Sequence, residues 1–227
     1  MKTISEIFGI ETVTQENFRY ALTHSSYTKE NNLPEGQCYE RLEFLGDAVL
    51  KLTISDVLFR LYPESREGEL SKIRSIVVSD NTLADIAKKN GLQDLIIMSK
   101  HEEKQGCRNL NSICACAFEA VLGAYYLDGK FAELEKYIEK TFLPYIKDVE
   151  NNFIKYNAKA ILQEYTQDKS KLPPEYVVIN EQGPAHKRIF EVQVVYNDEV
   201  LAVAKGYSKK EAEQKCAYLA CEKLGLF

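Results

Sequence analysis

The stretch Glu40-Arg-Leu-Glu-Phe-Leu-Gly-Asp-Ala-Val-Leu50 carries carboxylates spaced three and four residues apart. At about 100° per residue on a helix, Glu40, Glu43 and Asp47 fall within an arc of roughly 60°. Leu42, Leu45, Val49 and Leu52 fall on the opposite side. The commoner cause of such spacing is an amphipathic helix with a solvated acidic face. Two details weaken that reading. Phe44 and Leu50 flank the acidic stripe, so the predicted helix is apolar nearly all round, and Lys51 is the one basic residue close to it.

A second segment is sharper. Ser112–Leu127 (SICACAFEAVLGAYYL) contains one charge, Glu119. A lone carboxylate in an apolar helix costs several kcal/mol unless it is protonated, paired or bound to a cation. Alternatively, Glu119 reaches the surface between Ala115, Ala117, Ala120 and Gly123. Spacing alone leaves both readings open. Carboxylates gathered from two helices repel one another, and a hard divalent cation with oxygen ligands resolves that conflict. Mg²⁺ suits a site with few protein carboxylates. Such ions catalyse phosphodiester hydrolysis. No Ser-His-Asp order, phosphate-cradling Gly loop or dinucleotide fingerprint competes. His24, in Thr23-His24-Ser25-Ser26, reads as structural.

The chain has 227 residues, 45% of them hydrophobic, which suits a globular protein of one large or two small domains. Its uncharged runs Asn109–Phe118 and Ala120–Leu127 are split by Glu119. Neither is long enough to span a membrane. The N-terminus has no apolar core of the kind a signal peptide needs. Six Cys without a C-x-x-C pair point to reduced thiols in the cytoplasm. The net charge of −5 argues against a protein basic all over. It does not exclude nucleic-acid binding, because the placement of charge decides that. Residues 1–154 hold 18 basic and 24 acidic groups, whereas residues 155–227 hold 11 and 10.

That shift accompanies a change of pattern. Apolar spacing predicts helices over Glu16–Leu22, Tyr39–Leu61, Gly68–Val78, Asn81–Asn90, Ser112–Leu127 and Phe131–Thr141. Ser79 or Asp80 can cap the fourth of these. Farther on come a short helix, Lys159–Tyr165, and β-rich runs at Tyr176–Ile179, Ile189–Val195 and Val200–Lys205. A final amphipathic helix, Ser208–Leu224, has Ala212, Cys216, Leu219 and Leu224 on its inner side. It opens with a Ser208/Glu211 capping box. The expected architecture is an all-α domain over 1–150, a linker over 151–157 and an α-β-β-β-α domain over 158–227.

Lys209 and Lys210 stand in the first turn of that helix, against its dipole. Taken alone, they read as solvated side chains. An anion there would remove the conflict, since a helix N-terminus also offers free N–H groups to phosphate. Gly183-Pro184-Ala185-His186 makes a turn with a donor at its tip, and Gln163-Glu164 adds amide and carboxylate groups. Three such contact sets on one small domain suit A-form RNA, recognised through minor-groove 2′-hydroxyls and the phosphates between.

The blocks ERLEFLGDAVL (40–50), ALTHSSY (21–27), ELSKIR (69–74), NTLA (81–84) and FEAVLGAYYLD (118–128) resemble, in order, those of the ribonuclease III family. Residues from about Lys155 to Phe227 resemble a double-stranded RNA-binding domain. The resemblance implies a homodimeric helical endonuclease. It would cleave double-stranded RNA with Mg²⁺, or Mn²⁺ as a substitute, leaving 5′-phosphate and 3′-hydroxyl ends with short 3′ overhangs. It implies metal-holding roles for Glu43 and Glu119 and a catalytic role for Asp47 and Glu119. Glu40 and Glu67 would shape the cleavage valley. Gln163, Glu164 and His186 would face minor grooves, and Lys209 and Lys210 phosphates. Ribosomal and messenger precursors are the implied substrates.

One position departs from the pattern. The family has an aspartate three residues before the last glutamate, and this chain has Cys116. A thiol is a poor Mg²⁺ ligand. Cys114 cannot replace it, being turned about 200° away. Three outcomes follow: water fills the place and the Mg²⁺ site is weaker, a softer ion such as Mn²⁺ or Zn²⁺ is preferred, or the chain binds RNA without cutting it. A weakened but working enzyme is the preferred expectation, because Glu43, Asp47 and Glu119 remain. The alternative is a dimeric RNA-binding protein on a disabled nuclease fold.

Overall fold

The computed structural model describes residues 2–183 and 188–227. The chain divides into two compact units, one ending at Asp148 and the other beginning at Val149. In order, the elements up to the division are α1 (Ile4–Phe8), α2 (Gln15–Ala21), α3 (Ser25–Glu30), α4 (Glu40–Leu61), α5 (Glu67–Val77), α6 (Asp80–Asn90), α7 (Lys100–Lys104), α8 (Asn111–Leu127) and α9 (Phe131–Asn151). Two short 3₁₀ turns lie between α6 and α8.

The middle of this unit is α8. Cys114, Ala117, Phe118, Ala120, Val121, Leu122 and Tyr125 have no exposed surface. Aromatic rings close around it. Phe8 stacks on Phe118 at 5.8 Å, and Phe18 meets Tyr125 edge-on at 4.7 Å. The Tyr125 hydroxyl donates to the Ile10 carbonyl at 2.9 Å, so the ring's polar end is satisfied within the core.

Helix α4 packs along α8 through two glycines. A Cβ on Gly46 would lie 1.7 Å from the Glu119 carbonyl oxygen, and one on Gly123 would lie 2.3 Å from that of Leu42. The backbones are in direct contact there, and no larger residue fits. On α4 the buried face is Leu42, Gly46, Val49, Leu50, Thr53, Ile54, Val57 and Leu58. Leu52, expected on the inner side, is instead 63% exposed, on the same side as Phe44 and Phe59. The helix is apolar nearly all round, and its periodicity could not say which apolar side meets α8.

Helix α9 runs through Pro144 to Asn151, well past the expected end at Thr141. Leu134, Ile138, Phe142 and Ile146 form one fully buried stripe across the proline. That burial outweighs the single backbone hydrogen bond Pro144 removes.

The second unit contains α10 (Phe153–Ser170), β1 (Glu175–Gln182), β2 (Ile189–Tyr196), β3 (Glu199–Gly206) and α11 (Lys209–Lys223). Residues 151–157, expected as a linker, are helical except for a turn at Asn152. The strands form an antiparallel sheet in the order β1-β2-β3. Asn197 and Asp198 both take positive φ, 49° and 61°, in a two-residue turn that joins β2 to β3. Ala158 and Leu162 of α10 and Cys216, Ala217, Ala220 and Cys221 of α11 pack against Val194, Leu201 and Ala204. Leu219, expected inside, is 41% exposed. The inner face of α11 uses small side chains instead, which let it lie close on the sheet. The chain is thus an all-helical unit followed by an α-β-β-β-α unit. Among the described residues no helix is long and apolar enough to cross a membrane.

The glycine contact makes a test. Alanine raises helix propensity by about 1 kcal/mol, so Gly46→Ala would stabilise an uncrowded helix. At this crossing, overpacking costs about 1–3 kcal/mol and reverses the sign. Gly46→Ala is expected to lower the melting temperature of the helical unit by several degrees, read by circular dichroism. An unchanged or raised melting temperature would contradict the contact.

Candidate active site

Glu43 and Asp47 are one turn apart on α4, on either side of Gly46. Cys116 and Glu119 are one turn apart on α8. Because the Glu119 carbonyl sits against Gly46, the crossing gathers these four side chains into one valley.

Their charges act on one another. Burial comes first, and Asp47, Glu43 and Asp80 add like-charge repulsion, so the Glu119 carboxyl is pushed up to about 8. Lys51 acts in the opposite direction. The Cys116 thiol is held far above its ordinary range, first by burial and then by the nearby Glu43 carboxylate. It is neutral. Burial and the neighbouring Cys116, Glu43 and Glu40 likewise raise the Tyr39 phenol. Asp47 accepts from Lys51 Nζ at 2.8 Å.

Asp80 and Tyr39 interact electrostatically with this group without any signal for it in the sequence, where Asp80 reads only as a cap. Ser79 takes the cap position, and Asp80 is the first residue of α6. Asn81 Oδ1 accepts from Asn111 Nδ2 at 2.9 Å, tying the start of α6 to the start of α8. Arg108 braces the preceding loop by donating to the carbonyls of Gln93 and Ile96 at 2.8 and 2.7 Å.

The other expected valley residues lie farther out. Glu40 opens α4 and is exposed. Glu67 opens α5, is exposed, and accepts from Ser71 Oγ at 2.7 Å. His24 is structural: its Nδ1 accepts from the Ser26 amide at 3.1 Å and so caps α3.

Among the described residues no three His, Cys, Asp or Glu side chains converge in a metal-binding arrangement. The chemistry of the donors nevertheless fits a hard cation. Glu43, Asp47 and Glu119 supply carboxylate oxygens from two helices, and one of them is half-buried among like charges with its carboxyl pushed up to about 8. Asp47 is turned toward Lys51, and would have to leave it to complete such a set.

In the second unit, Gln163 and Glu164 are exposed on α10, beside the buried Leu162 and Thr166. Lys209 and Lys210 are exposed at the start of α11. Ser208 Oγ accepts from the Glu211 amide at 3.1 Å, while the Glu211 carboxylate reaches back to the Tyr207 amide at 2.9 Å. A Cβ on Gly206 would lie 2.5 Å from the Ala212 nitrogen. The end of β3 therefore sits against the first turn of α11 and fixes where its lysines emerge. Lys209 Nζ lies 3.5 Å from Glu181. His186 lies outside the described residues.

Known proteins carry the same two parts. Residues 15–146 match the Ribonuclease-III-like family, and residues 158–224 match the double-stranded RNA binding motif. The chain is 42% identical over 204 residues to Ribonuclease 3 of Desulfotalea psychrophila, covering 90% of this chain and 84% of that one. It is 40% identical over 216 residues to Ribonuclease 3 of Streptococcus pneumoniae, covering 95% and 93%. A solved nuclease domain of ribonuclease III from Campylobacter jejuni, described as having structural flexibility in a region involved in dimer formation, is 37% identical. It has a TM-score of 0.55 and matches 61% of this chain and 95% of that one. With the valley at the α4–α8 crossing and an α-β-β-β-α unit following it in sequence, the chain belongs to the ribonuclease III family and is an endoribonuclease with a double-stranded RNA-binding motif.

Proposed function

We propose that the valley hydrolyses phosphodiester bonds of double-stranded RNA with Mg²⁺, leaving 5′-phosphate and 3′-hydroxyl ends. The observation that carries this is Glu119: a half-buried carboxylate at a helix crossing, near acids of another helix. Glu43, Asp47 and Glu119 would hold the ion, with Mn²⁺ an acceptable substitute. When bound, the ion supplies water activation and charge neutralisation at the scissile phosphate. Cys116 takes no ligand role in this reading. Its neutral thiol stands near the Glu43 carboxylate and adds no charge there. Glu40 and Glu67 extend the acidic rim.

Gln163, Glu164 and His186 would meet minor grooves, and Lys209 and Lys210 the phosphates, so that recognition depends on shape. Tethering this unit to the nuclease raises the duplex concentration at an acidic valley that repels RNA. A homodimer would cut both strands. Its support is the bare side of α4, where Phe44, Leu52 and Phe59 are 81%, 63% and 73% exposed. Beside Phe44 lies a groove of about 720 Å³ lined by Tyr20, Cys38, Leu45 and Leu127 among others. An apolar face of this kind is what a two-fold partner covers. The work would be cytoplasmic processing of ribosomal and messenger precursors, consistent with six free thiols.

A second reading, a dimeric RNA-binding protein without cleavage, is favoured by Cys116 alone. A neutral thiol there leaves the ion one carboxylate fewer than the family pattern.

Glu119→Gln is expected to slow single-turnover cleavage at least about 100-fold while duplex binding stays within about two-fold. Full cleavage by this variant would remove the ion assignment. Without divalent ions, folded Glu119 keeps its proton up to about pH 8, against 4.5 for the unconstrained group. Its stabilising contribution is complete below pH 4.5 and is lost as pH rises toward 8. Relative to Glu119→Gln, the protein should therefore lose melting temperature across that window, and a constant difference would contradict the shift. In the second unit, Lys209→Ala/Lys210→Ala is expected to weaken duplex binding about ten-fold at physiological salt and to flatten its salt dependence. The cut position should not move. Unchanged affinity would count against the phosphate role.

A further inference from the structure

Lys51 follows Asp47 by one turn of α4, and its ammonium lies 2.8 Å from Asp47 Oδ2. The side chains are 51% and 36% exposed. As a surface pair this contact contributes little stability. Its position separates it from the chain's other i,i+4 pairs, such as Lys89 with Asp85 or Lys215 with Glu211. Those lie away from the valley. Asp47 is one of the acids acting on Glu119 across the helix crossing, and Lys51 is the cation that offsets them. A single ammonium thus serves acids of α4 and α8. Cys116 makes that placement matter, because a neutral thiol leaves Glu43, Asp47 and Glu119 as the carboxylates that would hold an ion.

We propose that Lys51 is a tethered competitor for the divalent cation of this site: its ammonium holds Asp47 when no ion is bound and must release that carboxylate before an ion takes it. Lys51 thereby sets the cation concentration at which the site fills. The inference rests on the assignment of Glu43, Asp47 and Glu119 as the residues that hold the ion. An ammonium and a divalent ion on one carboxylate exclude each other by space, and they repel at about 4 Å even in water. Removing the ammonium frees Asp47 and removes the repulsion together.

The test is Mn²⁺ binding by the full chain without RNA, measured from the free-ion electron paramagnetic resonance signal at fixed pH and salt. Lys51→Gln is expected to lower the Kd about five-fold or more, and Lys51→Arg, which keeps the charge, to stay within about two-fold of the unchanged chain. In an Asp47→Asn background, Lys51→Gln should change the Kd much less, because only the repulsion is left to remove. Equal affinity for the unchanged chain and Lys51→Gln would overturn the proposal and leave the ion assignment standing. So would an effect that persists undiminished with Asp47→Asn, which would mark a diffuse field in place of a contact. Absence of Mn²⁺ binding in every variant would overturn the ion assignment and this inference with it.

Discussion

The backbone contact between α4 and α8 at Gly46 and Gly123 sets the spacing of the valley's acids. With the Glu119 carbonyl lodged where a Gly46 side chain would be, the acids that flank Gly46 on α4 are brought near Glu119 and the residue one turn before it on α8. Glu43, Asp47, Cys116 and Glu119 are those residues. A larger residue at either glycine would push the helices apart and spread the acids. The aromatic shell of Phe8, Phe18 and Phe142 around α8 works toward the same end, holding the apolar helix in place from its other sides.

Bringing acids together carries an electrostatic cost, and this chain meets it in three ways. Glu119 keeps a proton near neutral pH when no ion is present. Cys116 puts a neutral thiol near Glu43. Lys51 places a positive charge on Asp47. Each lowers repulsion in the ion-free protein, and each opposes the negative field that would draw a cation in. The site is therefore balanced toward weaker ion binding than a set of unpaired carboxylates would give.

Much of this was legible in the sequence because helical periodicity is a strong signal. The stripe of Glu40, Glu43 and Asp47, the lone charge of Glu119 and the change to strand pattern in the last third of the chain could be read directly. What could not be read depends on packing. Leu52 and Leu219 are apolar and correctly spaced for burial, yet a neighbouring stripe on each helix makes the contact. Helices α1, α3 and α7 are only five or six residues long, too short to form without the tertiary structure around them. The extension of α9 through Pro144 follows from a buried stripe that only the folded core reveals. Asp80 acts from α6, outside the two helices whose spacing was informative, so no local pattern could show it.

The most direct test of the valley as a working site is cleavage of an end-labelled RNA duplex by this chain and by Cys116→Asp, each titrated with Mg²⁺ and Mn²⁺. If Glu43, Asp47 and Glu119 suffice, the unchanged chain cuts the duplex with Mg²⁺, and Cys116→Asp cuts at the same position at lower ion concentration. Cleavage by Cys116→Asp alone, with the unchanged chain bound to the duplex but inactive at every concentration of either ion, would contradict that claim.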